Sequence, residues 1–166
     1  MARTNPLEFS KLIIDQVPFI FENYKKHKKV NYFIRKEEIC KVGLIRGVEA
    51  FKEAAERMTL GDRLPPLVYK EDLCMQIPSE IEDCTNKLYL DSYLEDKAEY
   101  LNYEYFGFHF DLDVACALTS VVLQIVDDNL FHFQRRDNIL NPLYKYIGVT
   151  NKKIKNSVCL YISFAG

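Results

Sequence analysis

The sequence predicts an α+β fold, and three observations carry that prediction. Segments with helical spacing dominate the first two thirds of the chain, two runs of β-branched and aromatic residues close it, and no repeat or low-complexity tract intervenes. In order, Asn5-Pro6 is a helix start, with Asn at the cap, Pro at the first helical position and Glu8 in the first turn. Leu7, Leu12, Ile13, Val17 and Ile20 then recur near helical spacing, until Pro18 kinks or ends the helix. Residues 1–45 are therefore read as a helix followed by a basic, irregular connection, with a short strand at 32–34. The stretch "RGVEAFKEAAERM" is an amphipathic helix over 46–58: Val48, Phe51, Ala55 and Met58 share one face, while Glu49, Lys52, Glu53 and Glu56 face water. Gly61-Asp62 stops it.

Pro65-Pro66 forces an extended approach to a further helix, expected to start near Lys70 and to be interrupted at Pro78. Between 87 and 105 acids alternate with Leu and Tyr, which predicts a helix around 92–101 ended by Gly107. Thr119-Ser120 caps the apolar helix "VVLQIVDDNL". The final runs "LYKYIGVT" and "SVCLYISF", separated by a turn at "NKKIKN", predict an antiparallel pair of strands, 144–150 with 158–164.

Composition bounds the function. A chain of 166 residues with 48% hydrophobic content, 11 Phe and 11 Tyr can bury a core and is read as one domain, 1–166. A formal net charge of -2 argues against a nucleic-acid binder defined by global charge. The local exception is the basic run at 25–29, read as a solvated linker. The N-terminal stretch has no apolar core of signal-peptide length, and no segment is apolar enough to span a membrane, so neither export nor anchoring is expected. Five widely spaced cysteines, Cys40, Cys74, Cys84, Cys116 and Cys159, match neither a zinc site nor a disulfide framework, and are read as small buried hydrophobes in a reducing compartment.

The order of five motifs resembles the CAP superfamily of cysteine-rich secretory, antigen 5 and pathogenesis-related proteins, in a divergent plant- or protist-like branch. These are "NPLEF"; "GVEAFKEAAERM" with "LPPLVYKEDL"; "VVLQIVDDNL"; "RRDNILNPLYKYIGV"; and "VCLYISFAG". The resemblance implies a three-layer α-β-α sandwich with the C-terminal strand pair inside its sheet. Within the fourth motif Asn138 and Asn141 suit a turn, Pro142 fixes the exit, and Gly148 permits close backbone approach in the strand that follows. These four residues are read as defining a corner of the fold.

The family's metal-binding cleft needs two His and two acids. Here Arg135 stands where the family's second His belongs, and a guanidinium cannot ligate a metal. The loop "TNKLYLDSYLED" lacks the family's first His, and "FDLDVACAL" lacks its Glu-Asn pair. A substitute set could be His109, Asp111 and Asp113, but a polar loop before an apolar "VACAL" strand is the simpler reading. Asp127-Asp128 at a helix end is read as satisfying backbone donors. No Gly-rich phosphate loop or nucleophile–base set is present in the sequence.

The expectation is thus a non-catalytic interaction module with no cofactor and no metal. It would be a structural or adaptor subunit of a larger cytoplasmic assembly, the cytoskeleton being one candidate. Its partners would be other proteins, with neither nucleic acid nor a membrane span. A sterol- or lipid-type carrier and, behind it, a metal-dependent hydrolase are the rivals. The surplus of aromatic residues points to an interface, because Tyr buries a large ring and keeps a hydroxyl to pair. Tyr93, Tyr100, Tyr103 and Tyr105 are the expected contact residues, and the basic run at 25–29 a second, electrostatic contact.

Overall fold

The computed structural model describes residues 1–25, 28–36, 40–74, 103–112, 116–128, 134–154 and 157–166. They form a mixed α+β protein divided into two compact units, Met1–Pro66 with Val114–Leu140, and Leu67–Asp113 with Asn141–Gly166. Each unit is assembled from two separated stretches of chain.

In the first unit, helix α1 (Pro6–Ile14) follows Asn5 as expected, with Pro at its start and Phe9 and Ile13 buried. It ends four residues before Pro18 rather than continuing to Ile20. Pro18 has no N–H to donate to the Ile14 carbonyl, so the α-helical ladder cannot continue; Asp15 and Gln16 stay in the right-handed region and a 3₁₀ turn (Val17–Phe19) takes over. The next stretch is not the irregular connection expected. Strands β1 (Ile20–Lys25), β2 (Lys28–Arg35) and β3 (Cys40–Leu44) form an antiparallel meander in the order β1-β2-β3. Val30, Tyr32, Phe33 and Ile34 all being apolar hides the period of two that marks a strand. The basic run lies at the hairpin end, where Lys25 pairs in register with Lys28.

The inner face of the meander is buried through Asn31, Phe33 and Leu44. Phe33 stacks on Phe51 at 5.9 Å between centroids and meets Phe19 edge-on at 6.3 Å. Phe51 belongs to α2 (Val48–Leu60), whose buried stripe is Ala50, Phe51, Ala54, Ala55 and Met58. Helix α3 (Ala117–Val126) adds Val122, Ile125 and Val126 to the core. It starts before the expected cap at Thr119-Ser120, so the end of "VACAL" is helix rather than strand. Helix α4 (Gln134–Leu140) occupies most of the segment expected to turn, and Asn138 is buried within it. The buried Arg3 side chain donates to the Ile139 carbonyl at 2.9 Å and to that of Pro65 at 2.7 Å.

The second unit is a four-stranded sheet of order β4-β6-β7-β5. It comprises β4 (Val68–Tyr69), β5 (Phe106–Leu112), β6 (Tyr146–Ile154) and β7 (Ser157–Ala165). The C-terminal pair is antiparallel as expected, from Tyr146 opposite Ala165 to Ile154 opposite Ser157. It is longer than expected, because 151–154 continue β6 instead of turning. β7 is central and buried on both faces, with Cys159, Tyr161 and Ser163 on one and Ile162 and Phe164 on the other. Two further expectations change here. Gly107 lies inside β5 rather than ending a helix, and the helix expected from Lys70 begins instead as β4 and a 3₁₀ turn (Glu71–Leu73). The expected helix at 92–101 lies outside the described residues.

Gly148 sits in β6 directly beneath that 3₁₀ turn. A β-carbon at this position would collide with the Leu73 backbone carbonyl. Asn141 holds the turn into β6: its Oδ1 accepts the Leu143 N–H at 3.0 Å, and its carbonyl accepts that of Tyr144 at 3.3 Å, with Pro142 exposed between them. The reading of all five cysteines as reduced is corrected at Cys159, which is disulfide-bonded, whereas Cys74 and Cys116 are free thiols.

Candidate functional site

Among the expected contact residues, Tyr103 and Tyr105 are described, and Tyr93 and Tyr100 lie outside the described residues. Tyr103 precedes β5 and donates its hydroxyl to Asp72 Oδ2 at 3.3 Å. Its ring lies 6.1 Å from that of Tyr146 in β6, and Lys70 Nζ sits 4.6 Å from the centroid of Tyr146. Burial first, and then the charge of Asp72, pushes the Tyr103 phenol up; Glu104 does the same to Tyr105. Both therefore stay neutral O–H donors across the physiological range. Tyr69, on edge strand β4, is 61% exposed and its hydroxyl lies 3.2 Å from Cys74 Sγ. The second unit thus presents Tyr69, Tyr103 and Tyr105 beside Lys70, Asp72 and Glu104, a surface of aromatic rings bearing fixed charges of both signs. Tyr69 and Lys70 are not among the expected residues, because "LVYKED" reads as an extended approach and a helix start rather than a sheet edge.

A second cluster, in the first unit, is built from buried charge. Asp127 terminates α3 in the left-handed region (φ 49°) and is 1% exposed. Its Oδ2 accepts the backbone N–H groups of Arg135 and Arg136 at 2.9 and 3.3 Å, capping α4. Asp128 holds the turn that enters α2, each oxygen 3.0 Å from the Arg46 N–H and Oδ2 also 3.0 Å from that of Gly47. Arg136 closes the circuit. It is 3% exposed, donates to the Ile125 and Val126 carbonyls at the end of α3, and reaches Glu53 Oε1 at 3.3 Å. Glu53, expected to face water, is therefore engaged by both Arg46 and Arg136. Arg46, through its hydrogen bond above all, holds the Glu53 carboxyl below its ordinary range. Each oxygen that bonds here accepts from a backbone N–H at or just before a helix start or from a guanidinium, and the Arg46–Glu53 pair lies half-buried at the edge of the cluster.

Of the substitute metal set, His109 alone has a described side chain. His109 is buried in β5 with its ring 5.3 Å from that of Phe164. Asp111 follows in the same strand two positions on, and Asp113 lies outside the described residues. The loop expected for "HFDLD" is strand as far as Leu112. Among the described residues no group of three or more His, Cys, Asp and Glu is placed to hold a metal, and no helix is long and apolar enough to cross a membrane.

The third surface is the outer face of the meander. Phe21, Tyr32 and Gly43 stand opposite one another across the three strands, flanked by the pairs Asn23–Val30 and Ile34–Lys41. Phe21 is 50% exposed, and a β-carbon on Gly43 would meet nothing within 4 Å. Lys41 Nζ lies 5.0 Å from the Tyr32 centroid. No protein-family profile, curated protein or solved structure matches this chain.

Proposed function

We propose that the chain is a non-catalytic interaction module, a structural or adaptor subunit of a larger cytoplasmic assembly, with the cytoskeleton as a candidate site. The observation that carries this reading is the tyrosine surface of the second unit, where Tyr69 and Tyr105 are exposed and the half-buried Tyr103 is held by a phenol–carboxylate bond to Asp72. Such side chains offer large contact area at small entropic cost. The Asp, Arg and Glu cluster supports the non-catalytic part, since the Asp127 and Asp128 oxygens accept backbone N–H groups and those of Glu53 accept from two guanidinium groups. For the finer architecture we propose a CAP-like α-β-α sandwich. The motif order and the β6–β7 pair support it, whereas the β1–β3 meander has no counterpart in that expectation. The reading also expects no specific divalent metal.

Native fractionation of the source cells tests the role: salt-resistant recovery in a large complex is expected, and recovery as a free monomer would sink it. Elemental analysis after dialysis tests the site, and close to one zinc per chain would overturn the metal-free assignment.

A further inference from the structure

The segment that forms the meander differs in charge from the rest of the chain. Between residues 20 and 46 eight basic residues stand against three acidic ones, although the whole chain carries a formal net charge of -2. The opposite extreme is residues 71–113, with twelve acidic residues against two basic ones. The described part of that acidic stretch includes the exposed Glu71, Asp72 and Glu104 beside Tyr103 and Tyr105.

The meander face has the form of a receptor for such a surface. Its centre is a shallow depression of about 740 Å³, lined by the apolar Phe21, Val30, Tyr32 and Ile34, with Asn23, Glu22, Lys36 and Lys41 around them. Lys36 and Lys41 are exposed, and no carboxylate pairs with either among the described residues. The floor at Gly43 is open, so incoming rings can lie against backbone and against Phe21. An apolar centre whose rim carries two lysines against the single carboxylate of Glu22 favours a partner with apolar anchors and net negative charge. A nucleic acid would also be attracted by the lysines, but the acid-rich remainder of the chain would repel it.

We propose that the β1–β3 outer face docks the acidic, tyrosine-bearing surface around Asp72, Tyr103 and Glu104 of a second copy of this chain. The inference rests on the reading of that tyrosine surface as an interface, and it names the partner. Because the two patches differ, the contact is heterologous: each copy uses one patch and leaves the other open, so copies add head to tail.

Sedimentation velocity on the purified full chain, over a concentration series at low and high ionic strength, tests this. Concentration-dependent association is expected, weakened about tenfold or more by salt, as for contacts steered by charge. Phe21→Ala and Lys41→Glu on one face, and Glu104→Lys on the other, should each abolish it while leaving the circular dichroism spectrum unchanged. Mixing Lys41→Glu with Glu104→Lys should then give a one-to-one dimer and nothing larger, since each retains the patch that the other lacks. A wild-type monomer at every concentration, salt-independent association, association unaffected by these variants, or a monomer whose meander binds a single-stranded oligonucleotide would each overturn the proposal. A chain monomeric in isolation yet native to a large complex would overturn self-docking alone. Recovery from cells as a free monomer would instead sink the assembly role.

Discussion

Asp127 is a single residue under two opposed demands. Its carboxylate caps α4, yet burial pushes its pKa up against the backbone N–H bonds that favour the charged form. An acid whose folded pKa is raised costs stability above that pKa, and the cost disappears as pH falls. Asp127→Asn keeps an acceptor for the same N–H groups and suits the left-handed backbone. It should raise stability at neutral pH by about 1 kcal/mol and confer no gain in acid, as read by urea denaturation at two pH values. Glu53 has the opposite sign, because Arg46 and then Arg136 lower its pKa. Its contribution is complete above the unfolded value and is lost as pH falls through the folded one. Glu53→Gln should therefore destabilise at neutral pH, with the difference from wild type closing in acid. At Gly148 the demand is steric. Gly148→Ala drives a methyl group into the Leu73 carbonyl and should cost about 2 kcal/mol, the scale of overpacking in a filled core.

At the scale of elements, the meander was the least legible part of the chain and the strand pair β6–β7 the most. The pair carries β-branched and aromatic residues through most of its length, whereas the meander mixes lysines at its hairpin with an unbroken apolar run in β2. Helix α2 was legible because its apolar stripe returns at helical spacing, but Glu53 was assigned to water since nothing in the sequence places Arg136 beside it. Gly43 tests the meander directly. Glycine weakens a strand interior, and the space above this one is open. Gly43→Thr, facing Tyr32 across the pair, should raise the unfolding midpoint with a gain of roughly 0.5 kcal/mol. An unchanged or lowered midpoint would mean that this face is covered in solution.

At the scale of the whole molecule, each unit draws on chain segments separated by the other. β4 pairs only with β6, and β5 only with β7, among the described strands. Truncation after residue 140 therefore removes every described strand partner of β4 and β5. Hydrogen exchange on the 1–140 fragment should show 106–112 unprotected, while α1 and α2 keep measurable protection through their own packing. Protection of β5 in that fragment would contradict the pairing.

The sequence by itself determined the α+β class, the positions of α1 and α2, the antiparallel end of the chain and the roles of Asp127 and Asp128 as receivers of backbone donors. Each of these is written in local spacing, capping chemistry or propensity, which act over a few residues. Only the tertiary structure decided that "NYFIRK" is the middle of a sheet, that Gly148 lies under Leu73, and that Arg46 from the turn before α2, Glu53 of α2 and Arg136 of α4 meet. Those outcomes depend on which distant segment lies opposite. A sequence read in windows carries the period of a strand or helix, but it does not carry the identity of the residue packed against it.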